Sequence, residues 1–311
     1  MDDLLTVSGK KSKKTAKQWI QSYDGQKAIT SIVFLLIPVA LLILFTFVPA
    51  ANMVVYSFQK RSQLGTDIEW VGLDNYKTIF SDSSYLMTFK NSIYYLIGSF
   101  IQQALALLVA SVLCSRLRCK NFFKGVLFFP YLMNGVAVSL IFLNFFKNGD
   151  GVVSPQGTLN SILSVFGVEP YTWLGAETAN FCLVFVSLWR YIGFDILMYI
   201  GAIQSINTDV YEAAELDGAN SWQRFRYIVF PSIKSIIALQ CILAVNGAIS
   251  VFETPYIITG GKNGTTTFVI KTIETAFTYD KIGLASAMAM VLLSITIVVT
   301  IIQKTVFKEE T

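Results

Sequence analysis

Five stretches of this chain run for 18 residues or more without a charged side chain: 28–58, 91–115, 125–146, 235–252 and 282–303. Inside a bilayer the backbone finds no water to bond, so an apolar run of about 18 residues or more is read as a helix that crosses it. A sixth run, 178–208, is long enough but carries Arg190 and Asp195. Composition agrees, since only 14% of residues are charged where soluble domains carry about 25%. The expected fold class is therefore an all-α integral membrane protein with six transmembrane helices.

The first run follows a hydrophilic leader and exceeds the apolar region of a secretory signal, so it is expected to stay in place as a span. At about 1.5 Å per residue it outreaches the hydrocarbon core, and Pro38 and Pro49 suggest a kinked or tilted helix. Charge placement sets the orientation. With six spans both termini share a side with 116–124 and 209–234, and that side holds 15 Lys and Arg against 8 on the other. Basic excess marks the cytoplasmic face, so both termini are expected inside. The expected organisation is a cytoplasmic basic leader at 1–27, a first transmembrane helix at 28–59 and an outer loop at 60–90. A core of five spans follows at 91–304, with an inner loop at 209–231, and a cytoplasmic tail at 305–311.

The outer segments carry local signals of their own. Residues 60–90 hold scattered aromatics and suggest a small cap with short interfacial helices. Gly149 to Gly157 reads as a turn before an amphipathic stretch, Leu159 to Phe166. Thr259-Gly-Gly-Lys-Asn-Gly reads as a flexible loop. It fails as a nucleotide site, because Lys262 is followed by Asn263 and no glycine stands at the upstream position a Walker A loop needs.

Other chemistries are excluded by residue supply. The chain has no histidine, and its four cysteines show no Cys-x-x-Cys spacing, so catalytic, cofactor-binding and metal residues are each expected to be none. The net charge of +4 follows from topology and does not suggest nucleic acid.

The inner segment Tyr211 to Pro231 is long for a turn between spans, acidic in its first half and basic in its second. Asp209 can cap a helix with Glu212 three residues on, and Asp209, Glu212 and Glu215 share a broad helix face. Ala213 and Ala214 keep that helix slim. Gly218 can supply a left-handed stop, and Asn220 with Gln223 can cap the next helix.

Glu212-Ala213-Ala214, Gly218, Ile228 and Pro231 also fall at the spacing of the Glu-Ala-Ala signature of bacterial ABC importer membrane subunits, with Phe230 where leucine is usual. Further pieces are Trp189-Arg-Tyr-Ile-Gly, Leu216-Asp-Gly-Ala, Gly157-Thr-Leu-Asn and Phe252-Glu-Thr-Pro-Tyr. Across about 28–304 the chain resembles the sugar-permease branch of binding-protein-dependent ABC importers, relatives of maltose and glycerol-phosphate permeases. It departs at Ile206-Asn207, where that branch commonly has Ile-Pro, and it lacks a large outer insertion. The resemblance implies a type I importer permease in a bacterial cell membrane, paired with a second homologous permease, as a heterodimer. It also implies two ATPase subunits inside, which would carry the ATP and Mg, and a solute-binding protein outside that delivers a sugar or oligosaccharide. Glu212, Ala213, Ala214, Glu215, Asp217 and Gly218 are then the ATPase-coupling residues.

The polar groups within the spans are the second candidate site. A charge at mid-bilayer costs about 2.5–3.5 kcal/mol on insertion scales and faces a cavity or a partner. Trp189, Arg190, Asp195, Tyr199 and Asn246 are the candidate substrate-pathway residues, with Gln240 offering a further amide; an Arg190–Asp195 structural pair, or contacts to a partner permease, is the bland alternative. A different class of function, an ion-coupled transporter working without an ATPase, would rest on Asp195 as a relay.

Overall fold

Helices form where the uncharged runs fall. A computed structural model describes residues 22–65, 68–114, 119–149 and 156–306. The leader before Ser22, the basic residues Arg116 and Arg118, most of the expected turn at 149–157 and the tail from 307 lie outside the described residues. The chain divides into two units, one up to Val55 and one from Tyr56.

Helix α1, Tyr23–Tyr56, starts five residues before the uncharged run. The Ser22 hydroxyl accepts the Gly25 N–H at 3.2 Å and caps it. A widened π-helical turn, Ile43–Phe47, interrupts it just ahead of Pro49. Proline has no N–H and its ring crowds the carbonyl four residues back, so widening the preceding turn relieves both problems. The same device recurs at Phe225–Val229, two residues before Pro231.

The second unit opens with a short antiparallel pair, β1 (Gln59–Lys60) and β2 (Glu69–Trp70), with Gln59 opposite Trp70 and Lys60 opposite Glu69. Helix α2 (Asp74–Ser81) follows, and Asn75 on it donates to the Ser57 and Gln59 carbonyls, 2.9 Å each. Helix α3 runs over Ser83–Leu113. It takes in the last residues expected in the outer loop, because Asp82 accepts the Ser84 N–H at 2.8 Å and starts the helix there.

The run 125–146 is broken where a single span was expected. Helices α4 (Lys120–Leu132) and α5 (Gly135–Phe146) meet at 94°. Pro130 weakens the end of α4, Met133 is extended, and Asn134 accepts the Val136 N–H at 2.9 Å to start α5. Helix α6 (Thr158–Val165) is the expected short amphipathic helix, tied down by Asn160, whose side chain accepts from the Trp173 indole at 2.9 Å and donates to the Tyr171 carbonyl at 3.0 Å.

Helix α7 (Ala179–Gln204) is the centre of the unit and packs along α3 and α4. Gly193 permits the α4 crossing, since a Cβ there would fall on the Leu127 carbonyl. Then come α8 (Thr208–Leu216), α9 (Ser221–Arg224), α10 (Lys234–Ile249), α11 (Glu253–Thr259), α12 (Phe268–Ile273) and α13 (Ile282–Val306). Helices α2, α12 and α13 share an apolar cluster around Ile79, Phe268 and Met288. The loop expected to be flexible at Thr259–Gly264 is pinned: Asn263 donates to the Leu174 carbonyl at 2.6 Å and Asn180 to the Gly264 carbonyl at 3.1 Å. Five helices among the described residues are long and apolar enough to cross a membrane, and the count is six if the bent α4–α5 pair crosses once.

Candidate functional site

Two regions hold the residues singled out above. The first is the segment after α7. Helix α8 begins at Asn207, whose side chain accepts the Asp209 N–H at 3.0 Å. Asn207 is therefore the N-cap expected at Asp209, and it takes over the start that proline provides in the related pattern. Asp209 moves into the first turn, where its charge suits the positive end of the helix.

At the other end Gly218 is left-handed, φ +75°. The Ala219 N–H reaches the Ala214 carbonyl at 2.9 Å and the Gly218 N–H reaches the Glu215 carbonyl at 3.1 Å, which is the full Schellman stop. Asn220 and Gln223 then form the expected capping box, at 2.9 and 2.8 Å. Glu212, Ala213, Glu215, Asp217 and Gly218 are exposed and Ala214 is half-buried. Glu215 comes within 4.0 Å of Arg224.

Tyr211 and Phe225 turn inward and pack on the cluster formed by Leu113, Ile203, Val229 and Ile233. Burial pushes the Tyr211 phenol above its ordinary pKa. The segment thus rests on the ends of the spans through two aromatics while its outer face carries Leu216, Trp222 and Tyr227, which are 90, 66 and 74% exposed. That apolar face was not part of the sequence expectation. An acidic, helical surface with bare apolar side chains and a tight glycine stop suits insertion into a protein groove.

The second region lies among α3, α4, α7 and α10. A cavity of about 630 Å³ is lined by residues of these helices and of the 250–254 corner that leads into α11, including Gln102, Tyr131, Tyr191, Phe194, Asp195 and Glu253. Asp195 is 5% exposed. Its two oxygens each accept an amide N–H, from Gln102 at 2.5 Å and from Gln240 at 2.8 Å. One turn further along α7, the buried Tyr199 hydroxyl donates to Gln103 at 2.6 Å. Three helices are thereby tied together by side-chain amides around one acid.

Arg190 does not pair with Asp195. Five residues along a helix is a rotation of about 140° past a full turn, so the two side chains leave α7 on different sides. Arg190 instead meets Glu253 at 2.7 Å, and its guanidinium lies 5.0 Å from the Tyr191 ring centre. A Cβ on Gly135 would collide with both partners of that pair, so the start of α5 presses directly on it. The break between α4 and α5 is what brings this backbone to the pair.

Of the five candidate pathway residues, Asp195 lines the cavity. Trp189 lies in the apolar cluster beside Phe142, ring centres 5.2 Å apart. Tyr199 is buried in its bond to Gln103, and Asn246 keeps a buried side-chain oxygen without a hydrogen-bond partner among the described residues. Glu253, Gln102 and Tyr131 escaped the sequence reading. The adjacent amides Gln102-Gln103 in an uncharged run were the available signal for Gln102. Tyr131 stacks on Phe194 with ring centres 4.9 Å apart, forming an aromatic platform beside the Asp195 cage.

Comparison with known proteins places the chain by sequence and by fold. The chain is 34% identical over 282 residues to the probable ABC transporter permease protein YurN of Bacillus subtilis, covering 88% of this chain and 94% of that one. It is 29% identical over 276 residues to the multiple sugar-binding transport system permease protein MsmF of Streptococcus mutans, covering 87% and 92%. Its fold matches a chain in the crystal structure of a bacterial ABC transporter involved in the import of the acidic polysaccharide alginate, with a TM-score of 0.80 at 20% identity over 93% of this chain and 98% of that one. Residues 103–309 match the family described as binding-protein-dependent transport system inner membrane component, and the chain belongs to that family.

Proposed function

We propose that this chain is one permease subunit of an ATP-driven importer for a sugar or oligosaccharide. The observation that carries the reading is the exposed α8–Gly218–α9 segment, a rigid, doubly capped surface with bare Leu216, Trp222 and Tyr227. A lone carrier has no use for such a surface, whereas an importer driven by separate ATPases needs a place to receive their motion. Glu212, Ala213, Ala214, Glu215, Asp217 and Gly218 form the coupling element, seated in a cleft of the ATPase, which holds ATP and Mg. Similarity to MsmF supports a sugar as cargo. The chain crosses the bacterial cell membrane six times with both termini cytoplasmic, α4 and α5 counting as one broken span, and this follows the excess of Lys and Arg on the side of the coupling segment. A second permease, a different chain, faces it across the pathway, and an extracytoplasmic binding protein delivers the solute.

The test is purification of the tagged chain from its host membranes in mild detergent. A second permease and an ATPase should come with it, and ATP hydrolysis by the assembly should rise when binding protein and cargo are added. A chain that purifies alone and, once reconstituted alone, carries solute on an ion gradient would overturn the reading.

A further inference from the structure

The cavity has a sign. Among the described residues its lining includes two carboxylates, Asp195 and Glu253, and no lysine or arginine. Glu253 is answered by Arg190, whose side chain is 14% exposed and turned to the Glu253 oxygen at 2.7 Å. Asp195 has no cation partner among the described residues. Both of its oxygens receive amide N–H donors, and hydrogen bonds of that kind favour the ionised carboxylate. Aromatics and amides stand on the rest of the wall, the Tyr131–Phe194 stack, Tyr191 and Gln102, among hydroxyl, small and aliphatic residues. Tyr95 also lines the cavity and is 4% exposed, and its hydroxyl has no hydrogen-bond partner among the described residues. Aromatic faces accept the C–H faces of pyranose rings, and amide, phenol and carboxylate groups accept hydroxyls.

We propose that this chain's wall of the pathway is built for uncharged saccharides and rejects anionic ones such as uronates and sugar phosphates. The proposal rests on the importer reading given above and narrows its substrate class. An anion entering here meets an uncompensated carboxylate behind low-dielectric walls, which focus the unfavourable potential into the cavity. The acidic polysaccharide handled by the transporter of similar fold belongs to the class this wall would exclude.

Gly247 supplies a reporter. It lines the cavity, and a Cβ there meets nothing within 4 Å. In the Gly247→Cys chain, purified as its complex in detergent, the new thiol is treated with a trimethylammonium or a sulfonate methanethiosulfonate reagent. Modification of position 247 is followed by peptide mass spectrometry, and each rate is divided by that of a free small thiol. The cationic reagent should lead the anionic one by on the order of tenfold. Asp195→Asn should bring the ratio towards one, and Glu253→Gln, which releases Arg190, should lower it as well. Equal normalised rates in the Gly247→Cys chain, or a ratio that neither substitution moves, would overturn the proposal while leaving a water-filled pathway in place. Labelling by neither reagent while the exposed Cys119 reacts would mean that water does not reach the cavity, and the pathway reading would fall together with the proposal.

Discussion

Replacing Gly218 separates the coupling role from a merely structural one, because the structure isolates what the substitution does. The residue is left-handed at φ +75°, and a Cβ built on it meets nothing within 4 Å. Alanine therefore brings no collision, only the backbone penalty of an L-residue in that region, about 1–2 kcal/mol. Such a penalty changes the population of the closed turn by a factor of about 5–30. What opens is local: the Ala219–Ala214 and Gly218–Glu215 hydrogen bonds of 2.9 and 3.1 Å. Tyr211 and Phe225, which seat the segment on the spans, are not touched. The Gly218→Ala chain should accordingly reach the membrane at normal abundance, with substrate-stimulated ATP hydrolysis and uptake reduced about fivefold or more if the closed turn is what the ATPase grips. Asparagine tolerates the left-handed region better and should keep more activity, whereas valine, branched at Cβ, should keep less. The assay is uptake and ATP hydrolysis by the complex in proteoliposomes, normalised to the amount of this chain. If alanine and valine both transported at the wild-type rate and abundance, the turn would not be part of the coupling.

Three further outcomes follow from the packing. Gly193→Ala, whose Cβ falls on the Leu127 carbonyl, should force α4 and α7 apart and destabilise by about 1–3 kcal/mol, whereas Gly201→Ala on the same helix, with nothing within 4 Å, should be neutral or slightly stabilising in thermal melts of the purified complex. Glu253→Gln should lower the melting temperature by leaving the Arg190 guanidinium unpaired, with a loss smaller than the about 3–5 kcal/mol of a fully buried pair because the Glu253 side chain is 39% exposed; adding Arg190→Met should recover part of it. Asn207→Ala should cost about 1 kcal/mol of helix α8 and weaken coupling, and Asn207→Ser, which keeps the cap, should not; uptake at matched abundance reads the difference.

Features set by neighbours in sequence were legible, and features set by distant partners were not. The Gly218 stop and the Asn220–Gln223 capping box depend on bonds spanning three to five residues, so their pattern is visible in the chain. The α8 start shows the limit of that reasoning: Asn207 and Asp209 are both good N-caps, and local propensity does not choose between them. The uncharged runs marked the spans, yet the break at Met133 left no gap in charge. Its trace was the Asn134-Gly135 pair, a turn signal inside an apolar run. The partners of the two mid-span charges lie far off in sequence. Glu253 is 63 residues beyond Arg190 and Gln102 is 93 before Asp195, and only the packing of helices brings them together.

Those two charges divide the work of α7 between its ends. Arg190 ties the N-terminal half of the helix to Glu253 at the head of α11, with the Gly135 backbone pressed against the pair. Asp195 ties the C-terminal half to α3 and α10 through Gln102 and Gln240, and Tyr199 repeats the α3 connection one turn on. From Tyr199 the contacts continue without interruption through Ile200, Ile203, Val229 and Ile233 to Tyr211 and Phe225, the two aromatics that seat the coupling segment. A close-packed interior transmits displacement because it has little room to compress, so a push on α8 would reach the floor of the cavity. Contiguity of this kind makes a lever. A lever becomes coupling only when its element has two arrangements that both sites favour differently. The side-chain amides at Asp195 meet that need better than a buried ion pair would, since an amide can exchange one acceptor for another at a cost of about 1 kcal/mol per bond, whereas separating opposite charges there would hold the helices in one arrangement.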